Sequence, residues 1–351
     1  LADGTVLGTA SEYEGGRRGL LFCTDGTTAG TQLVDTSLSI RFALGTTNFT
    51  DPWSRGTGPA CFFNDLGEVW STDATSRGTI RLAPQSASNG TVIAAPQGSP
   101  SIVTTANGRV FWLANPAMPR LMFSDGAAID GAAPVVTLSA PYPALTGWNL
   151  ATLGNRVVFA GVGPSGVFEP FGSDGTVIGT VRLAVLSDGA IPTNPRWFTP
   201  FNGCAYFVAG DAATGVELWS TDGTSRGTVR VADLEPGAAS SSPEFLVVSG
   251  GRLWFTAETA ATGRVFWHTN GVTAPVANTG LTVPTLQQGL LAPQPYAGGV
   301  TFATSASSGG PLFLIGVGGP VRLTPDDGSI SHFNVNTPPV VNIISVTTGA
   351  N

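Results

Sequence analysis

The chain has 351 residues, of which only 11% are charged, and all 16 basic residues are arginine against 23 acidic ones. A net charge of −7 with a pI near 4.8 lacks the basic stripe that displaces counterions from phosphate, which argues against a nucleic-acid partner. No apolar run approaches the roughly 20 residues that cross a bilayer as a helix, and Cys23, Cys61 and Cys204, without CxxC spacing, allow at most one disulfide.

The chain opens on Leu1 in "LADGTVLGTA", which has no signal-peptide layout, so either a leader has been removed or this is a piece of a longer chain. Its first strand-like run, 4–10 "GTVLGTA", aligns with "GRLWFTA" at 251–257, and a phrase centred on Asp-Gly-Thr follows at "CTDGTTAGT" (23–31). The phrase returns as "EVWSTDATSRGTIRLA" (68–83), "FSDGA" (123–127), "FEPFGSDGTVIGTVRLA" (168–184) and "VELWSTDGTSRGTVRVADL" (216–234). Its aligned residues are Asp25, Asp73, Asp125, Asp174, Asp222 and then Asn270, at spacings of 48 to 52, and one further step lands on Gly318 in "LIGVGG".

Seven units of about 48 residues, each with several short strands, are the pattern of a β-propeller. In the fifth unit the strands read "RWFTPF" (196–201), "CAYFVA" (204–209), "VELWST" (216–221) and "GTVRVAD" (227–233), aromatic and β-branched runs separated by Gly, Asn and Asp. The expected fold is therefore all-β: a seven-bladed propeller over 1–336 with four antiparallel strands per blade. Its first blade lacks a first strand, which "SISHFNVN" (329–336) is expected to supply, closing the ring. Residues 337–351 form a strand-like tail.

Each aligned Asp is expected to accept hydrogen bonds from backbone two residues on, with Gly supplying positive φ, so these five Asp are read as structural turns. One carboxylate per turn is too few for a calcium site, which takes six to eight oxygens. Three residues before the aligned position stand Phe22, Trp70, Met122, Phe171, Trp219, Trp267 and Ile315, expected to pack between blades. Glu68, Glu169 and Glu217 recur with Arg81, Arg182 and Arg230, and a symmetric hairpin would oppose them as surface cross-strand pairs.

At these residues the chain resembles the bacterial ELWxxDGT-repeat proteins, with "ELWSTDGTSRGTVRVADLEPGAASSSPEF" (217–245) matching almost throughout and the second and fourth units as looser copies. The first unit matches only in "CTDGTTAGT", and the third, sixth and seventh by period alone. The resemblance implies a propeller fold and a secreted or cell-surface, extracytoplasmic location, and transfers no catalytic residue. The turn also looks like the Asp-box of sialidases, but no Arg–Glu–Tyr set stands apart from the repeat.

Chemistry-bearing residues are few. His268 and His332 lack a metal-ligand companion and a flanking GxSxG, and are read as structural; no catalytic residue, metal or cofactor is expected. Departures from the repeat are the candidate contacts. The loop 46–58, "TTNFTDPWSRGTG", offers Asn48, Phe49, Asp51, Trp53 and Arg55, where Trp53 either stacks on a sugar or partner or folds back as a lid. In the tail, Val340, Val341, Ile343, Ile344 and Val346 form a candidate assembly strand. The expected function is a non-catalytic binding or assembly module whose partner is another protein or a second copy. A glycan-binding lectin is the alternative, and a polysaccharide-acting enzyme the third reading.

Overall fold

A computed structural model of the chain describes residues 6–12, 18–24, 27–29, 31–40, 60–63, 69–72, 77, 79–83, 102–104, 109–114, 120–124, 133–137, 150–163, 166–186, 193–272, 274–278, 283, 293–296, 298–303 and 312–323. Every regular element among them is a β-strand, and all pairings are antiparallel. Strands consecutive in sequence pair with one another, giving seven separate sheets among the described residues. The chain divides into two compact units, 1–183 and 184–351.

The first unit holds four sheets. The first is β1 (Val6–Glu12), β2 (Arg18–Thr24) and β3 (Gln32–Ile40), and the second is β4 (Ala60–Phe63), β5 (Val69–Thr72) and β6 (Ile80–Ala83). The third comprises β7 (Ile102–Thr104), β8 (Val110–Ala114), β9 (Arg120–Ser124) and β10 (Ala133–Thr137). The fourth comprises β11 (Ala151–Leu153), β12 (Arg156–Val162), β13 (Phe168–Ser173) and β14 (Val181–Arg182).

The second unit holds three sheets. The fifth is β15 (Arg196–Phe201), β16 (Cys204–Asp211), β17 (Gly215–Thr221) and β18 (Val229–Arg230). The sixth is β19 (Glu244–Ser249), β20 (Arg252–Thr259), β21 (Gly263–Thr269) and β22 (Val276–Asn278). The seventh is β23 (Gln294–Tyr296), β24 (Gly299–Ala303), β25 (Leu312–Gly316) and β26 (Gly319–Arg322).

Burial explains why these runs are strands and how they stack. In β16 the six residues from Ala205 to Gly210 are all buried, so both faces of the sheet are covered and the sequence reads as a continuous apolar run. Both residues of β14, by contrast, are exposed. Tyr206, Val208, Leu218, Leu253 and Phe255 form one core between the fifth and sixth sheets, with Trp267 packed against it. Phe245, Trp254, Phe266, Phe302 and Ile315 form the next, between the sixth and seventh. Apolar burial of this kind stabilises by about 25 cal/mol per Å².

The repeated turn is built alike in the fourth and fifth sheets. Asp222 Oδ1 accepts Thr224 N (2.8 Å) and Thr224 Oγ1 (2.7 Å), and Thr224 Oγ1 in turn accepts Gly227 N at 3.0 Å. Thr228 Oγ1 donates to Thr224 O (2.6 Å) and pairs with Thr221 Oγ1 at 2.7 Å. Asp174, Thr176, Gly179, Thr180 and Ser173 repeat the set within 0.1 Å or so. Asn270 replaces the Asp in the sixth sheet and still accepts Val272 N at 3.0 Å. These bonds hold the Asp174 and Asp222 carboxyls below the ordinary Asp range. Asp25, Asp73 and Asp125 lie outside the described residues.

One expectation about the hairpin is corrected. Arg182 stands opposite Phe171, and Arg230 opposite Trp219, so each Arg faces an aromatic position and its Glu lies two residues away along the strand. Arg182 still reaches Glu169 diagonally at 3.0 Å, whereas Arg230 turns to Asp211 at 3.6 Å. Glu169 and Glu217 are fully buried, so neither belongs to a surface device. Glu68 lies outside the described residues.

The turn yields a first prediction. A β-carbon at Gly227 would collide with the Asp222 carboxylate and push it off Thr224. Gly227→Ala should therefore lower the unfolding free energy by about 1–2 kcal/mol, the worth of the displaced hydrogen bonds, in urea denaturation. An unchanged midpoint would show that the turn does not depend on that carboxylate.

Candidate functional site

The fifth and sixth sheets begin with the same irregularity. The pairing of β15 with β16 shifts register between Arg196 and Thr199, and that of β19 with β20 between Glu244 and Val247. Asn194 and Ser242 precede these bulges at φ 38° and 44°, and Trp197 and Phe245 sit within them at φ 61° and 57°. Bulky residues at positive φ are strained, at about 1–3 kcal/mol each. Core packing holds them there: the Trp197 and Phe245 rings lie 5.6 Å apart at 44°, and Trp197 packs against both inter-sheet cores.

The bulges carry opposite charges at one repeat position, Arg196 in the fifth sheet and Glu244 in the sixth. Burial pushes the Arg196 guanidinium down, with Glu244 opposing that shift, and Arg196 Nη1 donates to Asn194 O at 3.2 Å. Arg264 on β21 completes the group. Its side chain is 7% exposed and stands 3.6 Å from Glu244 Oε2 and 3.6 Å from Glu258 Oε2, while Glu258 is 57% exposed. Nη1 of Arg264 donates to Ser242 O at 3.1 Å and to Thr256 Oγ1 at 3.4 Å. Its Nε–H makes no hydrogen bond, since 3.6 Å to Glu258 is a Coulombic contact and too long for one. Two cations, on β15 and β21, thus flank two anions, on β19 and β20, and one buried donor is left over.

A second buried group governs the crossover from β18 to β19. The Glu217 carboxylate on β17 accepts Ser241 N at 2.9 Å, Ser241 Oγ at 2.6 Å and Leu234 N at 3.2 Å. Ser242 N donates to Val216 O at 3.0 Å, Val216 N to Ser240 Oγ at 2.9 Å, and Glu258 N to Ser241 O at 2.8 Å. Burial pushes the Glu217 carboxyl up, assisted by the nearby Asp233 charge and opposed by the Ser241 and Leu234 hydrogen bonds.

Of the residues expected from sequence to make contacts, Asn48, Phe49, Asp51, Trp53 and Arg55 lie outside the described residues, as do Val340, Val341, Ile343, Ile344 and Val346, the closing segment 329–336 and His332. His268 is buried against Trp254, ring centroids 4.8 Å apart, with Nδ1 3.5 Å from Arg252 Nη1. Desolvation, and then the Arg252 charge, hold it below the usual His range. Cys23 and Cys204 are free thiols. Among the described residues no group of three or more His, Cys, Asp or Glu side chains is placed to hold a metal ion. Sequence reading missed the Arg196–Glu244–Arg264–Glu258 group, although the repeat alignment sets Arg264 against Val216 and Glu244 against Arg196.

No family model and no curated protein sequence matches the chain. Solved structures resemble it at low identity. Puromycin hydrolase, as its S511A mutant complexed with PGG, shares 16% identity over 88% of this chain and 49% of its own, TM-score 0.42. The β-propeller domain of the Trilobed protease from Pyrococcus furiosus shares 9% over 92% and 95%, TM-score 0.42. A Mycobacterium tuberculosis puromycin-hydrolyzing peptidase shares 12% over 92% and 52%, TM-score 0.46. The chain thus spans about half the length of the two puromycin-cleaving enzymes. The expectation of a non-catalytic scaffold or lectin is corrected here: the three similar structures named are two puromycin-cleaving enzymes and a protease's propeller domain.

The raised Glu217 carboxyl sets a pH dependence. A carboxyl whose folded pKa lies above its unfolded one contributes stability that is full below the unfolded value, near 4.5, and lost as pH rises through the folded value. The difference in unfolding free energy between the native chain and Glu217→Gln should therefore move in favour of the variant as pH rises from 4.5. Parallel pH profiles for the two proteins in denaturant titrations would refute this.

Proposed function

We propose that the seven sheets are the blades of one closed β-propeller, of the ELWxxDGT-repeat kind and extracytoplasmic. We further propose that it serves as the substrate-recognising domain of an enzyme acting on charged, peptide-like molecules. The recognition site is the Arg196–Glu244–Arg264–Glu258 group at the bulged first strands of the fifth and sixth sheets.

The observation that carries the reading is Arg264. Burying a guanidinium costs several kcal/mol unless its charge and donors are matched, and here one donor remains unmatched. The fold does not require the cation, because the fifth sheet places Val216 at the equivalent position. An unused buried N–H beside an exposed carboxylate suits a ligand carboxylate that would displace Glu258 and make a charge-assisted hydrogen bond. Glu244 and Glu258 would then receive a cationic group of the same ligand. The strained Trp197 and Phe245 backbones beside the charges fit a site held in advance of binding.

The test uses calorimetry with acetyl-Ala-Lys bearing a free carboxylate, and with its C-terminal amide. Arg264→Val restores the residue of the fifth sheet, and should lower the melting temperature of a chain that still folds, because it leaves the largely buried Glu244 carboxylate without its cation. The same change should weaken binding of the free acid by about tenfold or more, 1.4 kcal/mol, and leave the weak binding of the amide alone. Equal affinity of the native chain for acid and amide would sink the reading.

A further inference from the structure

We infer that Glu217 is a positioning residue for the recognition site: it fastens the crossover at 234–242 so that Ser242 and Glu244 meet Arg264. This rests on the reading of the Arg264 group as a recognition site, and extends it to a residue of the neighbouring sheet that touches no ligand.

Glu217 is fully buried in the fifth sheet, yet its three hydrogen bonds go to the crossover and none to its expected partner Arg230. Two of them grip Ser241, through both backbone N and hydroxyl. Ser241 O receives Glu258 N at 2.8 Å, fixing the strand that carries one of the two acidic partners of Arg264. The next residue, Ser242, takes the positive φ of 44° and turns its carbonyl to Arg264 Nη1 at 3.1 Å. Two residues on, Glu244 supplies the second acidic partner at 3.6 Å. Position 217 thus sets, through Ser241, the backbone of three of the groups that surround Arg264.

The repeat offers an internal contrast. Glu169, at the equivalent place in the fourth sheet, is equally buried but pairs with Arg182 at 3.0 Å. The fold accepts an arginine partner for this carboxylate, so the switch to the crossover in the fifth sheet is a choice of that sheet. The Asp233 charge acts on Glu217, while Arg230 pairs with Asp211 and Glu235 Oε2 accepts Ala260 N at 2.7 Å. None of these replaces Glu217 on Ser241.

The test is Glu217→Gln in the full chain, with Arg230→Gln as a control that leaves the crossover contacts alone. Gln keeps the volume and one acceptor but presents an amide donor to Ser241 or Leu234. Hydrogen exchange should then lose protection by about tenfold or more at the Ser241 and Leu234 amides, while Val208 and Phe255 in the core keep theirs. The Arg264 Nε–H resonance should shift in Glu217→Gln and stay in place in Arg230→Gln. Binding of acetyl-Ala-Lys should weaken severalfold in the first variant alone. A loosened crossover with an unmoved Arg264 resonance would overturn the positioning role, as would amides protected as in the native chain. If the native chain binds no peptide but the resonance still moves, the recognition reading fails and the positioning role stands.

Discussion

A narrow antiparallel sheet of three or four strands has two faces and cannot cover either by itself. In this chain both faces of the central strands are apolar, as in β16, where six successive residues are buried. That constraint forces sheet onto sheet, and the rest of the structure follows from it. The cores that result belong to pairs of sheets: Leu218 of the fifth meets Phe255 of the sixth, and Phe266 of the sixth meets Phe302 of the seventh. Among the described residues strand pairing is local, every sheet being a run of consecutive strands, so the long-range work there rests largely on apolar packing between neighbours.

Stacked meanders need turns that hold their shape without a core behind them, and the Asp-Gly-Thr phrase supplies this. Its bonds are all within a dozen residues, so each hairpin can form before its sheet has found a partner. The phrase also ties one sheet to the next: Arg109 of the third donates to Asp174 O of the fourth, and Asn202 of the fifth to Asn270 O of the sixth, 2.9 Å away. A local motif thereby acts as a socket for its neighbour.

What could be read from the sequence was what the repeat states many times. The strands of the fifth and sixth sheets and the hydrogen bond that Asp222 accepts from Thr224 N both follow from residues whose roles recur at fixed offsets. The partners of Glu217 did not follow, because two carboxylates at the same offset, Glu169 and Glu217, choose different partners depending on the chain that follows each. Pairing by offset treated the hairpin as symmetric, whereas the register sets Arg opposite the aromatic residue. The bulges at Trp197 and Phe245 were also invisible, since no propensity favours an aromatic residue at positive φ and packing alone holds it there.

Single departures from a repeat carry more information than the repeat itself. A position that is apolar in one sheet and arginine in the next shows that burial there can be had without charge, so the charge needs a reason of its own. Arg264 answers to Glu244, Glu258, Ser242 and Thr256 and still keeps an unmatched N–H, an arrangement that folding alone does not favour. Arg196 and Glu244, opposite in sign at one repeat position, make the same point on neighbouring strands. Because the fifth sheet repeats the framework with Val216 where the sixth has Arg264, the framework stands with or without the charge. The sixth sheet therefore carries at Arg264 a buried charge that the repeated framework does not need in order to fold.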